Sequence, residues 1–259
     1  MNSARLLGYL AVAAVMVLAL PEAAEAAKAK YKEGTVENGG SVTGKVTFDG
    51  ALPAEAVENI LITKNPEVCG TGEREVVWID VKDGALRGVF VFLDKIKEGK
   101  AWAEPEGGNY LIDQKGCRFT PWAQVVRPGP VVIRNSDKGV LHNINTREMI
   151  GVEKGRVVKR TMFNFGQPDP GDIEQAIKPR RSAYISINCE AHNFMFGFMM
   201  APPHPYAVVV GEDGSFEIGD IPPGDYTLKA WHPTIGVQKV KITVPAGGAA
   251  EANFSFTAQ

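Results

Sequence analysis

The stretch "INCEAHNFMFGFMM", residues 187–200, crowds Cys189, His192 and Met195 into one short turn of a chain otherwise rich in β-branched runs. A thiol, an imidazole and a thioether this close together admit three readings. They are ordinary core side chains, a nucleophile beside its base, or most of a metal site. The rest of the chain discriminates among them.

Working outward, the segment before the turn, "SAYISIN", alternates Ile185 and Ile187 around Ser186, the period of a half-buried strand. The same texture runs through "SVTGKVTFDG", "GVFVFLD", "AQVVRPGPVVIRNSD", "GRVVKRTMFNF" and "VQKVKITV", each broken by Gly, Pro, Asn or Asp. Asp213-Gly214 reads as a tight hairpin turn between "YAVVVGE" and "SFEI", because both residues tolerate positive φ. Helical periodicity is confined to "LPAEAVENIL", residues 52–61, which is short. The fold class is all-β, a sandwich architecture.

The first residues, "MNSARLLGYLAVAAVMVLALPEAAEAAKAK", place Arg5 before an apolar run and a small-residue stretch at Ala24-Glu25-Ala26. That is the pattern of a secretory signal peptide over residues 1–26, with cleavage after Ala26. The run is short for a bilayer span, which needs about twenty apolar residues, and only a retained segment would tether the chain to a membrane. The mature protein is expected in the periplasm. Its roughly 230 residues are enough for one large or two smaller β domains. A net charge of −2 without basic clusters gives no footprint for nucleic acid. Phosphate-loop, dinucleotide-binding and C-x-x-C-H motifs do not occur.

Cys69, Cys117 and Cys189 are an odd number for an oxidising compartment. Cys69 in "NPEVCGTG" and Cys117 in "DQKGCRFTP" lie in turn-rich surroundings suited to a disulfide, which leaves Cys189 alone. Coordination protects an exported free thiol. Cys189, His192 and Met195 are soft or borderline donors that select copper over harder metals. A trigonal His2Cys set with a weak axial Met needs a second imidazole, and His142 in "IRNSDKGVLHNINT" supplies it. His204 and His232 are left over and read as packing histidines. So do Trp122 and Trp231.

With these residues in view, the segment from about Tyr110 to Ala201 resembles a cupredoxin, and the loop Cys189-Glu-Ala-His192-Asn-Phe-Met195 is similar to that of amicyanin. The resemblance implies a Greek-key β-sandwich over residues 105–201. It implies one copper ion held by His142, Cys189, His192 and Met195, with Met199 as the rival axial ligand. Asn143 resembles the residue that hydrogen-bonds between the two ligand loops. Phe194 resembles part of an exposed apolar patch around the outer His, a docking surface for a redox partner; Phe196 and Phe198 read as core. Two departures are the insertion-like segment "FGQPDPGDIEQAIKPRR" and the pair Met199-Met200.

The flanks, "GSVTGKVTFDGALP" and "DGSFEIGDIPPGDYTLKA", resemble two parts of a carboxypeptidase regulatory-like, prealbumin-type sandwich. Residues 38–104 and 202–259 would then form a second sandwich into which the copper domain is inserted, or against which it docks. Together the resemblances imply a type 1 copper protein, without enzymatic activity, carrying single electrons between periplasmic partners such as a c-type cytochrome or a dehydrogenase. A copper chaperone or sensor is the alternative, supported by the thioethers of Met195, Met199 and Met200.

Overall fold

The computed structural model describes residues 30–258; the expected signal peptide lies outside them. Among the described residues no helix is long and apolar enough to cross a membrane. The chain is all-β, with four larger sheets arranged as two sandwiches.

The central sandwich is built from residues 111–200. One sheet has the order Phe119–Thr120, Leu111–Gln114, Gly129–Asn135, Gly171–Ile177. The other runs Ala123–Val125, Phe196–Met200, Tyr184–Asn188, His142–Ile150, Val158–Gln167. Ile112, Val131, Ile133, Ile144, Ile185 and Ile187 fill the space between them.

The flanks build the second sandwich together. Gly40–Phe48 pairs with Ser215–Ile221 and, in parallel, with Phe254–Phe256, while Phe90–Leu93 pairs with Gly224–His232. Strands from both ends of the chain thus share sheets, and the central sandwich leaves and re-enters them as an insertion. Turn 211–214 forms as the sequence indicates, and Gly214 takes φ +75, where a Cβ would also meet the Val46 carbonyl at 2.5 Å. The strands it joins enter different sheets, so it is a crossover and not a hairpin.

Three expectations need correction. The candidate helix 52–61 is a short 3-10 turn, Ala54–Ala56, followed by strand Val57–Leu61, whose backbone groups are satisfied by Glu73–Val77. That hairpin belongs in sequence to the flanking domain 38–104, yet Ile60, Ile62, Val68, Cys69 and Val76 pack into the core of the central sandwich. The segment read as an insertion is structural: Val158–Gln167 ends one sheet, and Gly171–Ile177 crosses to pair with Gly129–Asn135.

Strand Tyr184–Asn188 also departs from the half-buried expectation: Tyr184, Ile185, Ser186 and Ile187 are all buried. Side chains alternate faces along a strand. Ile185 and Ile187 enter the central core, while Tyr184 joins Phe90, Phe92, Met149 and Trp231 in a core shared by the two sandwiches. The same alternation explains the methionine pair: Met199 faces one core and Met200 the other. Phe90 stacks on Trp231 at 4.9 Å, and Lys229 closes the junction with Asp94 at 3.2 Å and Glu153 at 2.9 Å.

Glu148 pins the approach to the ligand loop. Its fully buried carboxylate accepts backbone N–H groups of Arg180 (2.8 Å), Arg181 and Ser182 (2.7 Å), and pairs with Arg160. These bonds fold the turn that feeds the strand ending at Asn188. Burial alone would raise the Glu148 pKa, but the N–H groups of Arg181 and Ser182, the Arg160 guanidinium and the Arg180 N–H outweigh it and hold it down at about 2. A depressed carboxylate stabilises the fold above its ordinary pKa of 4.5 and loses that contribution as pH falls towards 2. Glu148→Gln is expected to lower stability at neutral pH by about 2–3 kcal/mol and to flatten the acid dependence in that window. Urea midpoints measured across pH check this; a variant as stable and as acid-sensitive as the parent contradicts it.

Candidate metal centre

Two loops at one end of the central sandwich converge. The first follows strand Gly129–Asn135. The Asn135 side-chain amide donates to the carbonyls of Val140 (3.1 Å) and Gln167 (3.0 Å), and its oxygen accepts the Asp137 N–H at 2.9 Å. This Asx-type turn swings the Asp137 carboxylate onto His142 Nε2, 2.8 Å away. Asp137 also accepts the backbone N–H groups of Gly116 (2.7 Å) and Cys117 (2.8 Å). Burial would raise its pKa; the Cys117 N–H, His142 and the Gly116 N–H outweigh that and hold it below the usual carboxylate range. With Nε2 engaged, His142 Nδ1 is left buried and without a partner.

The second loop is 189–195. It closes on itself: the Met195 N–H donates to the His192 carbonyl at 3.0 Å and the Cys189 N–H to the Met195 carbonyl at 3.1 Å. His192 Nδ1 lies 3.6 Å from Cys189 Sγ, and its Nε2 lies 3.1 Å from Asn65 Oδ1. One ligand atom each of His142, Cys189 and His192 falls within 4.8 Å of the others. Met195 is buried in the same loop. Met199, by contrast, pairs with Ile185, three positions along the strand from the Asn188–Phe196 pair at the loop, so the register carries it about 10 Å away.

Asn143 spans the two loops. Its backbone N–H donates to Cys189 Sγ at 3.4 Å, its side-chain oxygen accepts the Glu190 N–H at 3.1 Å, and its amide nitrogen donates to Asn164 Oδ1 at 2.7 Å. The Cys69–Cys117 disulfide is present, with Cα atoms 5.1 Å apart. Its sulfurs come within 4.8 Å of a ring nitrogen of His192. Among the described residues Cys189 is the free cysteine, and it is buried.

The donor set fits a soft or borderline cation such as copper. Two imidazole nitrogens and a thiol sulfur converge in a water-poor site, one of the nitrogens having no protein partner. His192 is also neutral at physiological pH: burial, reinforced by His142, Lys64 and Arg74, pushes its pKa down to about 4. A neutral imidazole is what coordination requires.

The exposed apolar patch expected around Phe194 does not exist. Phe194 is 5% exposed and His192 only 1%, because the hairpin Val57–Val77 lies over the loop. The Arg74 guanidinium covers the Phe194 ring at 4.7 Å. Phe194 is therefore a packing residue beside the site and not a docking surface. Phe196, partly buried, packs against Trp78 with ring centroids 4.3 Å apart and the planes tilted. His204 and His232 are buried away from the centre, each pushed down to about 4 by burial. Of the two tryptophans, Trp231 is fully buried in the junction, and Trp122 lies edge-on to Phe196 and Phe198.

Residues that sequence reasoning did not single out are Asn65, Arg74 and Asp137. Asp137 lay within the "NSD" run five residues before His142. Asn65 lay four residues before Cys69, itself expected to bond to Cys117.

Residues 204–252 match the family described as "Polysaccharide lyase family 4, domain II". The carboxypeptidase regulatory-like resemblance of the flanks finds no counterpart. A comparison with curated proteins finds no match. Solved structures similar to the chain include a purple cupredoxin from Nitrosopumilus maritimus, 19% identical, covering 36% of this chain and 100% of its own, with a TM-score of 0.27. A reduced amicyanin variant is 16% identical, covering 43% of this chain and 98% of its own, with a TM-score of 0.29. At these scores the reading of the site rests on its own geometry.

Asp137→Ala removes the acceptor of three donors and frees the His142 ring. It is expected to weaken metal binding about 10–100-fold and to lower stability of the metal-free chain by about 2–4 kcal/mol. Competition with a chelator of known affinity and urea unfolding check the two effects. Unchanged affinity contradicts the orienting role.

Proposed function

We propose that this chain is an exported blue-copper protein that carries single electrons between periplasmic redox partners, and that His142, Cys189, His192 and Met195 would hold the ion. The observation that carries the reading is the convergence of one ligand atom each of His142, Cys189 and His192 within 4.8 Å of one another, with His142 Nδ1 buried and without a protein partner. Copper bound there supplies a one-electron couple, its potential tuned by the thiolate and the weak thioether.

The protein residues hold the geometry before any metal arrives. Asp137 fixes the His142 ring, Asn65 the His192 ring, and the Asn143 N–H donates to the Cys189 sulfur. The hairpin keeps water from the ligands. A site whose donors are already oriented needs little rearrangement between oxidation states, which favours electron transfer. The partner class is a c-type cytochrome or a periplasmic dehydrogenase, and the covered His192 means that electrons pass through the hairpin cap and not through an exposed imidazole edge.

Burial of the ligands argues against the chaperone and nucleophile readings. Ion transfer by a chaperone needs ligands within a partner's reach, whereas Met199 and Met200 are core residues and Cys189 is 2% exposed. The same burial leaves a Cys189–His192 nucleophile without access to a substrate.

Cys189→Ser is expected to abolish the intense thiolate-to-copper absorption band of the oxidised protein while the β fold, read by circular dichroism, persists. The parent should also take up and release one electron per copper reversibly. A band that survives in the Ser variant contradicts the thiolate assignment. A parent that holds copper without a reversible one-electron couple contradicts electron carriage.

A further inference from the structure

The hairpin Val57–Val77 brings to the site a residue 127 positions away in sequence from His192. Asn65 precedes the short helix Pro66–Cys69 in the left-handed region, φ 51 and ψ 49, where Asn is among the few non-glycine residues tolerated. An Asn at such a position ordinarily turns its side chain onto the helix backbone. This one makes no capping bond. Its Nδ2 donates to Glu67 Oε1 at 3.4 Å and its Oδ1 meets His192 Nε2 at 3.1 Å.

Donor and acceptor roles follow from these two contacts. The amide nitrogen of Asn65 faces Glu67 Oε1 and the amide oxygen faces His192. An oxygen can only accept, so His192 donates from Nε2 and carries its proton there. Nδ1, 3.6 Å from Cys189 Sγ, is then the bare nitrogen.

The cap that delivers Asn65 is stapled twice. The disulfide joins Cys69 to Cys117 across 48 residues of sequence. Arg74 donates to the Cys117 carbonyl at 2.6 Å, to the Gly116 carbonyl at 3.3 Å, and to the Cys69 carbonyl. Asn65 itself is tied to the cystine through the Cys69 N–H, which donates to its carbonyl at 2.8 Å.

We infer that Asn65 is a positioning residue for His192, selecting the tautomer that leaves Nδ1 free for the metal, and that the Cys69–Cys117 disulfide holds Asn65 in place over the site. Opening the disulfide would then both release the imidazole and uncover Cys189. The inference deepens the copper reading, but its test needs no metal, so the two can fail separately.

The test uses the full chain, metal-free, at neutral pH, with ring-nitrogen NMR of His192 and alkylation of Cys189 by iodoacetamide. The parent is expected to show the Nε2–H tautomer alone and slow alkylation. Asn65→Gly keeps the left-handed backbone but removes the acceptor, and should reveal a substantial Nδ1–H population. Asn65→Asp, which keeps an acceptor, should restore the Nε2–H form. Cys69→Ala with Cys117→Ala should give the tautomer mixture and alkylate Cys189 about tenfold faster or more, as local opening requires. A single unchanged tautomer in Asn65→Gly overturns the positioning role, and it does so whether or not the double variant folds. A folded double variant with parental tautomer and parental alkylation overturns the latch.

Discussion

Two imidazole rings lie side by side in the interior, centroids 5.1 Å apart, and their four nitrogens are the constraint around which the site is organised. A buried polar atom without a partner costs free energy that a marginally stable fold cannot spare many times over. Asp137 satisfies one nitrogen and Asn65 another. Of the remaining two, His192 Nδ1 lies 3.6 Å from Cys189 Sγ, and His142 Nδ1 is buried with no protein partner. A cation accepting both lone pairs and the sulfur resolves that deficit. The partners of the first two nitrogens thereby determine the chemistry open to the other two.

The frame that holds the rings is stiff for reasons that lie outside the site. Strand Tyr184–Asn188 runs between two cores, so its side chains are fixed on both faces and the loop beginning at Cys189 starts from a rigid base. Glu148 secures the turn at the other end of that strand. The second sandwich contributes Trp231, Phe90 and Lys229 to the junction, which ties the central sandwich to a support. In this arrangement the flanking domain is a foundation for the ligand strands, and the hairpin is their lid.

Much of this was legible in the chain. Alternating β-branched runs pointed to strands, the Cys189-x-x-His192 spacing with the upstream His142 pointed to donors that converge, and the turn-rich surroundings of Cys69 and Cys117 pointed to their pairing. What failed did so for identifiable reasons. Ile185 and Ile187 flanking Ser186 look half-buried because Ser186 is polar, although the face it shares with Tyr184 is buried as well. "LPAEAVENIL" has helical composition, but its backbone is paired by Glu73–Val77, a tertiary preference that local propensity does not contain. Phe194 was placed on the surface by resemblance. It is buried because a hairpin assigned to the neighbouring domain folds over it, and no periodicity in residues 57–77 announces that destination. The disulfide was the available clue: a bond to Cys117 has to bring Asn65 and its neighbours to the ligand loops.

The central claim is a single metal held by two histidines and one cysteine thiolate. X-ray absorption at the copper edge of the oxidised, copper-loaded chain tests it most directly. The account predicts one ion per chain, with a nearest shell of two imidazole nitrogens and one short thiolate sulfur. A shell of nitrogen and oxygen alone, or two copper ions sharing sulfur, would contradict it.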